Sequence, residues 1–329
     1  AINFIKNRPY EKPFFIYLST YIPHSPHTIA NKAWARKYAS KVDPGVAYFF
    51  AGIERVDRNI GLLRAALATE GLADNTIVIF MSDNGGTAGV KLFNAGMRGK
   101  KGAVYEGGHR VPFFIRWPAG KLKHGSDVGD LNAHFDVLPT LIDLCGLTAP
   151  KKVDFDGRSF KNQLFEPDKL LPERVLCVEK QRTFKPLKWG SAAAMSRRWR
   201  LVNAKELYDI VKDLGQKKNV FDEHPEVVAQ LKKAFDAYWR RVTPNDRDRV
   251  KFIVGHPTDP ETYLQAMDWY LPKTPWNHAH ASSGVRQCGS WFISTIAKDV
   301  YEFEVRRWPK EVDARISGVP LLKKEVDAW

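Results

Sequence analysis

In this 329-residue sequence, Asp83 and Asn84 stand together at the end of an apolar run, within Ser82-Asp83-Asn84-Gly85-Gly86. Each side chain offers a hard oxygen, which suits Ca²⁺ or Mg²⁺ better than a soft metal. The glycines that follow let a backbone or ligand approach closely. By themselves these residues read equally well as an Asn-Gly hairpin turn, although residues 87–90 make a poor strand. Lys101 lies on the glycine-flanked loop Gly99-Lys100-Lys101-Gly102. A lysine there can set a point charge against a tetrahedral oxyanion, but taken alone it is better read as a solvated side chain. His24, in Pro23-His24-Ser25-Pro26, sits on a loop stiffened by proline. It can protonate a leaving oxygen or bind an oxyanion, though a lone loop histidine is more often plain surface. His27 is a weaker candidate for the same work, and His109 and His134 read as structural. Together the features describe a metal, a cation and a proton donor around an oxyanion, the groups needed to hydrolyse a sulfate or phosphate ester. Ca²⁺ takes about six to eight oxygen ligands, so Asp83 and Asn84 are part of a set. No Gly-x-Ser-x-Gly elbow and no cysteine in a reactive context stands as nucleophile.

The elements that must carry these residues alternate. Residues 13–18 form a short apolar run, the pattern of a strand buried on both faces. Asp43-Pro44 reads as an N-cap followed by proline at the first helical position. Phe49, Ile53, Val56, Ile60, Leu63 and Leu67 then recur on one helical face, with Gly71 as the stop. Residues 75–81 are a second buried-strand run leading into the Asp83 turn. Residues 111–117 predict a strand near an edge, because Pro112 cannot donate to a ladder. Residues 133–145 predict an amphipathic helix in which Phe135, Leu138, Leu141, Ile142 and Cys145 face the core. Strand, helix, strand, helix in this order predicts a mostly parallel sheet covered by helices, with ligands beyond the carboxyl ends of its strands.

Past residue 150 the rhythm changes. Strand-like pieces at 174–178 and 199–202 lead to a helix from Pro225 with Val228, Leu231, Phe235 and Tyr238 or Trp239 inward. Beyond residue 245 the chain is rich in Pro, Trp and Tyr, and 290–296 and 300–306 look like paired strands. The expected organisation is an α/β domain over 1–150, a smaller α+β subdomain over 151–245 ending in a helix, and a β-rich extension over 246–329. This last part holds Trp269, Trp276, Trp291, Trp308 and Trp329.

A hydrophobic fraction of 44% with 12% aromatics excludes a disordered chain. No apolar run approaches the ~18 residues that a membrane span needs, and residues 1–11 lack the apolar core of a signal peptide. The net charge of +14 is dispersed, with Arg197-Arg198-Trp199-Arg200 among its densest clusters. It fits a solvated basic surface or an acidic ligand, and no nucleic-acid motif accompanies it. Cys145, Cys177 and Cys288 are too scattered for a disulfide framework or a zinc site.

Several motifs in order resemble the formylglycine-dependent, arylsulfatase-like sulfatases. They are Val56-Asp57-Arg58-Asn59-Ile60-Gly61, Asp74-Asn75-Thr76 leading into the Asp83 turn, residues 99–112 ending in Glu106-Gly107-Gly108-His109-Arg110-Val111-Pro112, residues 136–141, and Asp156-Gly157-Arg158-Ser159. Residues 13–18 with Pro23-His24 are similar to the family's strand and substrate-histidine loop, and Glu206-Leu207-Tyr208-Asp209 with Asn219 to the segment before its last helix. The resemblance covers about residues 1–242. It implies an alkaline-phosphatase-like α/β fold, Asp83 and Asn84 as metal ligands (Ca²⁺, with Mg²⁺ as the alternative), and Lys101 on the sulfate oxygens. Lys100 is the adjacent alternative. His24 would contact sulfate or protonate the leaving alcohol.

The family's nucleophile, a cysteine in Cys-x-Pro-x-Arg converted to formylglycine, matches none of the three cysteines. The family's paired metal-binding aspartates are also unmatched, so the sequence is expected to be the C-terminal portion of a sulfatase, inactive by itself. The expected substrate is a sulfated small molecule or glycan. The expected compartment is secreted or periplasmic, with no nucleic-acid partner and no membrane span. The alternatives are a phosphodiesterase or phosphotransferase of the same superfamily, or a non-catalytic binder of sulfated glycans.

Overall fold

A computed structural model of the protein describes residues 1–9, 12–25, 27, 32–149, 151–181, 186–243, 250–270, 275, 280, 283–285 and 287–317. Pro26, Trp276 and Trp329 lie outside them. The chain divides into two compact units, Ala1–Lys180 with Ser191–Tyr238, and Gln181–Gly190 with Trp239–Trp329.

The first unit opens with α1 (Ile2–Lys6) and α2 (Lys32–Ala35), followed by the long α3 (Pro44–Thr69). Pro44 occupies the first turn as expected, but the Asp43 side chain makes no capping bond. The face that packs most tightly is not the large apolar stripe. Ala47, Ala51, Gly52 and Ala66 are buried with Leu67, while Ile53 is 45% exposed. Small residues win because they allow close approach. Ala47 and Ala51 meet Ala35 of α2, and a Cβ on Gly52 would stand 3.1 Å from Ile22 Cγ2. Gly71 ends the helix at φ +69°, where Leu72 N–H reaches back to Leu67 O at 2.8 Å.

β1 (Val78–Met81) pairs with β2 (Phe113–Arg116) in antiparallel register, Val78 opposite Arg116 and Met81 opposite Phe113. The parallel pairing expected for these strands is therefore absent from this ladder, because the chain reverses through residues 82–112. Nor are the strands buried on both faces. Phe113 and Ile115 pack against the cluster of Leu122, Leu144, Phe160 and Leu164, while Phe80 and Phe114 stack at 6.3 Å on the open face, 40% and 65% exposed.

Residues 13–18 correct the sequence expectation outright. They form no strand, and Phe15, Tyr17 and Leu18 are 76%, 76% and 58% exposed. An apolar run becomes a buried strand only where a ladder partner meets it, and none of the described residues pairs with this one.

After a short turn at His134–Asp136, α5 spans Val137–Leu144. Here too the expected inward residues differ. Phe135 and Leu138 are half exposed and Cys145 is exposed, whereas Asp136, Thr140 and Leu144 are buried. The underside of α5 is polar: Thr140 Oγ1 donates to Asp136 O at 2.7 Å and accepts from Phe160 N–H at 3.1 Å.

α4 (Glu106–His109) precedes β2, and α6 (Lys161–Phe165) follows α5. Next come β3 (Leu176–Glu179), β4 (Ala192–Met195), β5 (Trp199–Val202) and β6 (Glu206–Asp209), an antiparallel meander in sequential order. Ala192, Ala193, Ala194, Leu201, Val202 and Leu207 are fully buried. α7 (Pro225–Val242) buries Val228, Leu231 and Phe235, as its periodicity predicts. One core cluster joins Val104 to Leu176, Ala193, Met195, Val202 and Tyr208, so the glycine-rich loop shares a core with the sheet.

In the second unit β7 (Phe252–Val254) and β8 (Ile293–Thr295) pair in parallel. The expected pairing of 290–296 with 300–306 is not formed. β8 takes β7 instead, with Phe252 N–H on Phe292 O at 2.8 Å, while Val300 and Val305 are 94% and 74% exposed. Trp269 and Trp291 meet edge to face at 5.4 Å. Among the described residues no helix is long and apolar enough to cross a membrane.

Candidate active site

β1 ends in the Asp83 turn, and backbone contacts hold that turn at three points. Ser82 N–H donates to Pro112 O at 3.3 Å, Gly85 N–H to Gly108 O at 3.0 Å, and Lys101 N–H to Gly86 O at 3.0 Å. His134 Nε2 lies 2.8 Å from Ser82 O, and Ser82 Oγ donates to Asn84 O at 3.1 Å. Glycine is required at 85, where a Cβ would fall 1.9 Å from Gly107 O. The chain then enters a single 3₁₀ turn at Ala88–Lys91. A two-residue hairpin would need a returning strand there, so the hairpin alternative is set aside.

Asp83 is exposed and Asn84 half-buried, and Asn84 Nδ2 donates to Asp83 Oδ2. A carboxylate and an amide thus sit side by side at the strand end. This donor set fits a hard cation. Among the described residues no three His, Cys, Asp or Glu side chains cluster to hold one.

Lys101 is exposed on a loop whose bends fall at Gly99 and Gly102, with φ +89° and +82°. Its backbone bond to Gly86 sets it beside the Asp83 turn. A second cation flanks the loop, since a Cβ on Gly102 would lie 3.5 Å from Lys180 Nζ. Nothing in the sequence pointed to Lys180.

His24 follows the cis Ile22-Pro23 bond. Its Nδ1 lies 2.7 Å from Ser25 O, which makes Nδ1 the protonated donor, and its ring stands 5.4 Å from that of Tyr21. Among the described residues no hydrogen bond or ring contact joins His24 to Asp83, Asn84 or Lys101. The structure therefore joins Asp83 and Asn84 by a side-chain hydrogen bond, ties the Lys101 backbone to the same turn at Gly86, and leaves His24 on a separate loop over α3. His27 meets Phe49 edge to face at 5.4 Å, and its buried Nδ1 has no hydrogen-bond partner among the described residues.

α4 lies behind the turn. Glu106, 1% exposed, accepts from Arg200 Nε at 2.6 Å, with Arg110 Nη1 at 3.4 Å and His109 Nε2 at 3.9 Å. Burial pushes the Glu106 carboxyl up, but the adjacent Arg200 guanidinium outweighs it and holds the carboxyl below its ordinary range. Burial holds the His109 imidazole below its usual value, against the pull of Glu106. The two groups read as plain motif residues and surface charge in the sequence, because Glu106 and Arg200 are 94 positions apart.

The segment from the Asp83 turn to α4 lies in the part of the chain that known proteins resemble. A family model described as Sulfatase matches residues 1–147. Residues 1–147 are thus similar to the sulfatase family. The matched stretch contains the Asp83 turn, Lys101, α4 and His134. The chain is 29% identical over 274 residues to an endo-4-O-sulfatase of Bacteroides thetaiotaomicron, covering 70% of this chain and 53% of the relative. It is 34% identical over 161 residues to the steryl-sulfatase of Mus musculus, covering 45% and 24%. Among solved structures, Ps i-CgsB in complex with k-i-k-neocarrahexaose superposes with a TM-score of 0.63 at 24% identity, over 72% of this chain and 52% of that one. The alkaline-phosphatase-like α/β class expected from the resemblance is thus supported by fold. The chain spans about half the length of the first relatives it matches, 53% and 47%.

Proposed function

We propose that this chain takes part in hydrolysis of sulfate esters, releasing an alcohol and sulfate. The observation that carries the reading is the Asp83-Asn84 pair held by backbone bonds against the Lys101 loop. Asp83 and Asn84 would hold a hard divalent cation, Ca²⁺ with Mg²⁺ as the alternative, which when bound polarises sulfate oxygens as a Lewis acid. The Lys101 ammonium offsets charge on the same oxygens. His24, with its proton-bearing Nδ1 committed to Ser25 O, would protonate the leaving alcohol from Nε2 as the doubly protonated imidazolium and be left as the neutral Nδ1–H imidazole. The reading assigns the nucleophile to none of Cys145, Cys177 and Cys288.

The substrate we infer is a sulfated glycan. The +14 net charge suits a polyanion, and relatives include the endo-4-O-sulfatase and the carrahexaose-bound structure. A secreted or periplasmic location goes with such a substrate. We read 1–150 as the catalytic part, 151–245 as its smaller subdomain and 246–329 as a β-rich extension.

The test is calorimetric binding of a sulfated oligosaccharide and of its desulfated counterpart, each with and without Ca²⁺. Cation-dependent preference for the sulfated sugar is expected, and it is lost in Asp83→Ala and weakened in Lys101→Ala. Equal binding of the two sugars, or a cation response unchanged in Asp83→Ala, sinks the reading. Turnover of a phosphate diester in preference to a sulfate ester favours the phosphodiesterase alternative.

A further inference from the structure

We propose that the buried Glu106–Arg200 pair is a positioning device that sets the Asp83 turn against the Lys101 loop. It rests on the reading above only for what the turn is used for.

α4 is a wedge with close contacts on three sides. Gly108 O accepts the Gly85 N–H at 3.0 Å, and Gly107 N–H donates to Arg98 O at 2.8 Å at the root of the Lys101 loop. The glycines leave no slack. A Cβ would fall 2.5 Å from Gly99 O if placed on Gly107, and 2.0 Å from Ala103 O if placed on Gly108. A shift of α4 therefore moves the metal-side turn and the lysine loop together, since neither can give independently.

What keeps α4 from shifting lies behind it. Glu106 Oε1 takes Arg200 Nε at 2.6 Å, and Glu106 N–H donates to Gln216 Oε1 at 2.8 Å. Glu106, Arg200 and Gln216 are 1%, 4% and 1% exposed. Arg200 is itself fixed in β5 and donates to Trp199 O at 3.0 Å. A charge pair this enclosed is directional, because leaving either partner unmatched is costly. It links the rigid four-stranded sheet to a turn that buries little of its own surface. Glu106 and Arg200 do not reach the reacting atoms and act through α4.

Site-resolved amide hydrogen exchange on the full chain, without cation or sugar, tests this. The reporters are the Gly85 and Lys101 amides, bonded to Gly108 O and Gly86 O. The references are the Asn203, Val220 and Lys123 amides, bonded to Ala192 O, Leu207 O and Leu164 O. In Glu106→Gln, exchange at Gly85 and Lys101 should rise about tenfold or more while the references stay within about twofold. A purely structural role would raise all five together and overturn the proposal. Should Glu106→Gln fail to fold, the double variant Glu106→Gln/Arg200→Met removes both charges and is expected to fold. It should still release Gly85 and Lys101 selectively, and wild-type protection at those amides would overturn the coupling. Because no ligand is present, the outcome is independent of whether the site binds sulfate.

Discussion

The end of β1 and the four-stranded sheet β3–β6 are held by opposite means. The sheet is held by burial: Ala192, Ala193, Ala194, Leu201, Val202 and Leu207 lose all contact with solvent. The turn after β1 is held by backbone hydrogen bonds and by glycines that admit neighbouring carbonyls, while Asp83 and Lys101 remain exposed. A segment that exposes its side chains cannot also be stabilised by hiding them, and exposed loops on a rigid scaffold are where binding residues tend to stand. The turn borrows its rigidity from the sheet through α4 and the Glu106–Arg200 pair.

The comparison breaks most visibly if that link is cut from the sheet side. Arg200→Ala leaves Glu106 buried without its closest cation, with the longer Arg110 contact remaining, and should cost about 3–5 kcal/mol. Urea denaturation would show it, and a loss under about 1 kcal/mol would mean that the pair is not the link. Leu201→Ala in the sheet should cost about 3 kcal/mol, against roughly 1 kcal/mol or less for Phe114→Ala on the open face of β2. Equal losses in the two variants would show that the open face is covered.

The pH response is smaller and has a defined sign. Folding holds the His109 imidazole below its ordinary value of about 6.5. As pH falls, the unfolded chain takes up this proton before the folded one does. The contribution is therefore complete above about pH 6.5 and is lost as pH drops below it through the folded value. His109→Leu should flatten the denaturation midpoint between about pH 7.5 and 5, and an unchanged slope in that variant would remove His109 as the cause.

The smallest stability effect belongs to Asp83→Ala, within about 0.5 kcal/mol, because the exposed carboxylate makes only a local bond to Asn84. Its Tm should match wild type while cation binding disappears. A large drop in Tm would place Asp83 in the structural half of the comparison.

Legibility in the sequence followed the range of the interaction. The inward face of α7 was readable, because Val228, Leu231 and Phe235 repeat within one helix and meet one partner surface. On α3 the stripe is half-buried or buried except at Ile53, but the tightest packing is set by Ala and Gly at points where other segments come close. Residues 13–18 and Cys145 were misread for a related reason: apolarity says that a residue prefers burial, and the neighbours decide whether burial is on offer. At the site, the Asp83 turn and Lys101 could be named from their glycine-rich surroundings, whereas Lys180, the His134 contact to Ser82 O and the Glu106–Arg200 pair join distant positions that leave no local pattern.

The sequence by itself determined which residues are candidates, through two hard-oxygen side chains, a glycine-flanked lysine and motifs in the order of a family it resembles. Side-chain type and short-range spacing are local properties, and these are carried by neighbouring residues alone. Only the tertiary structure decided that Lys101 sits on the Asp83 turn, that His24 stands apart on its own loop, and that a buried ion pair from β5 stiffens the whole. Those facts depend on which surfaces exclude water together and on which distant charges must pair once they are buried, and both are settled by packing.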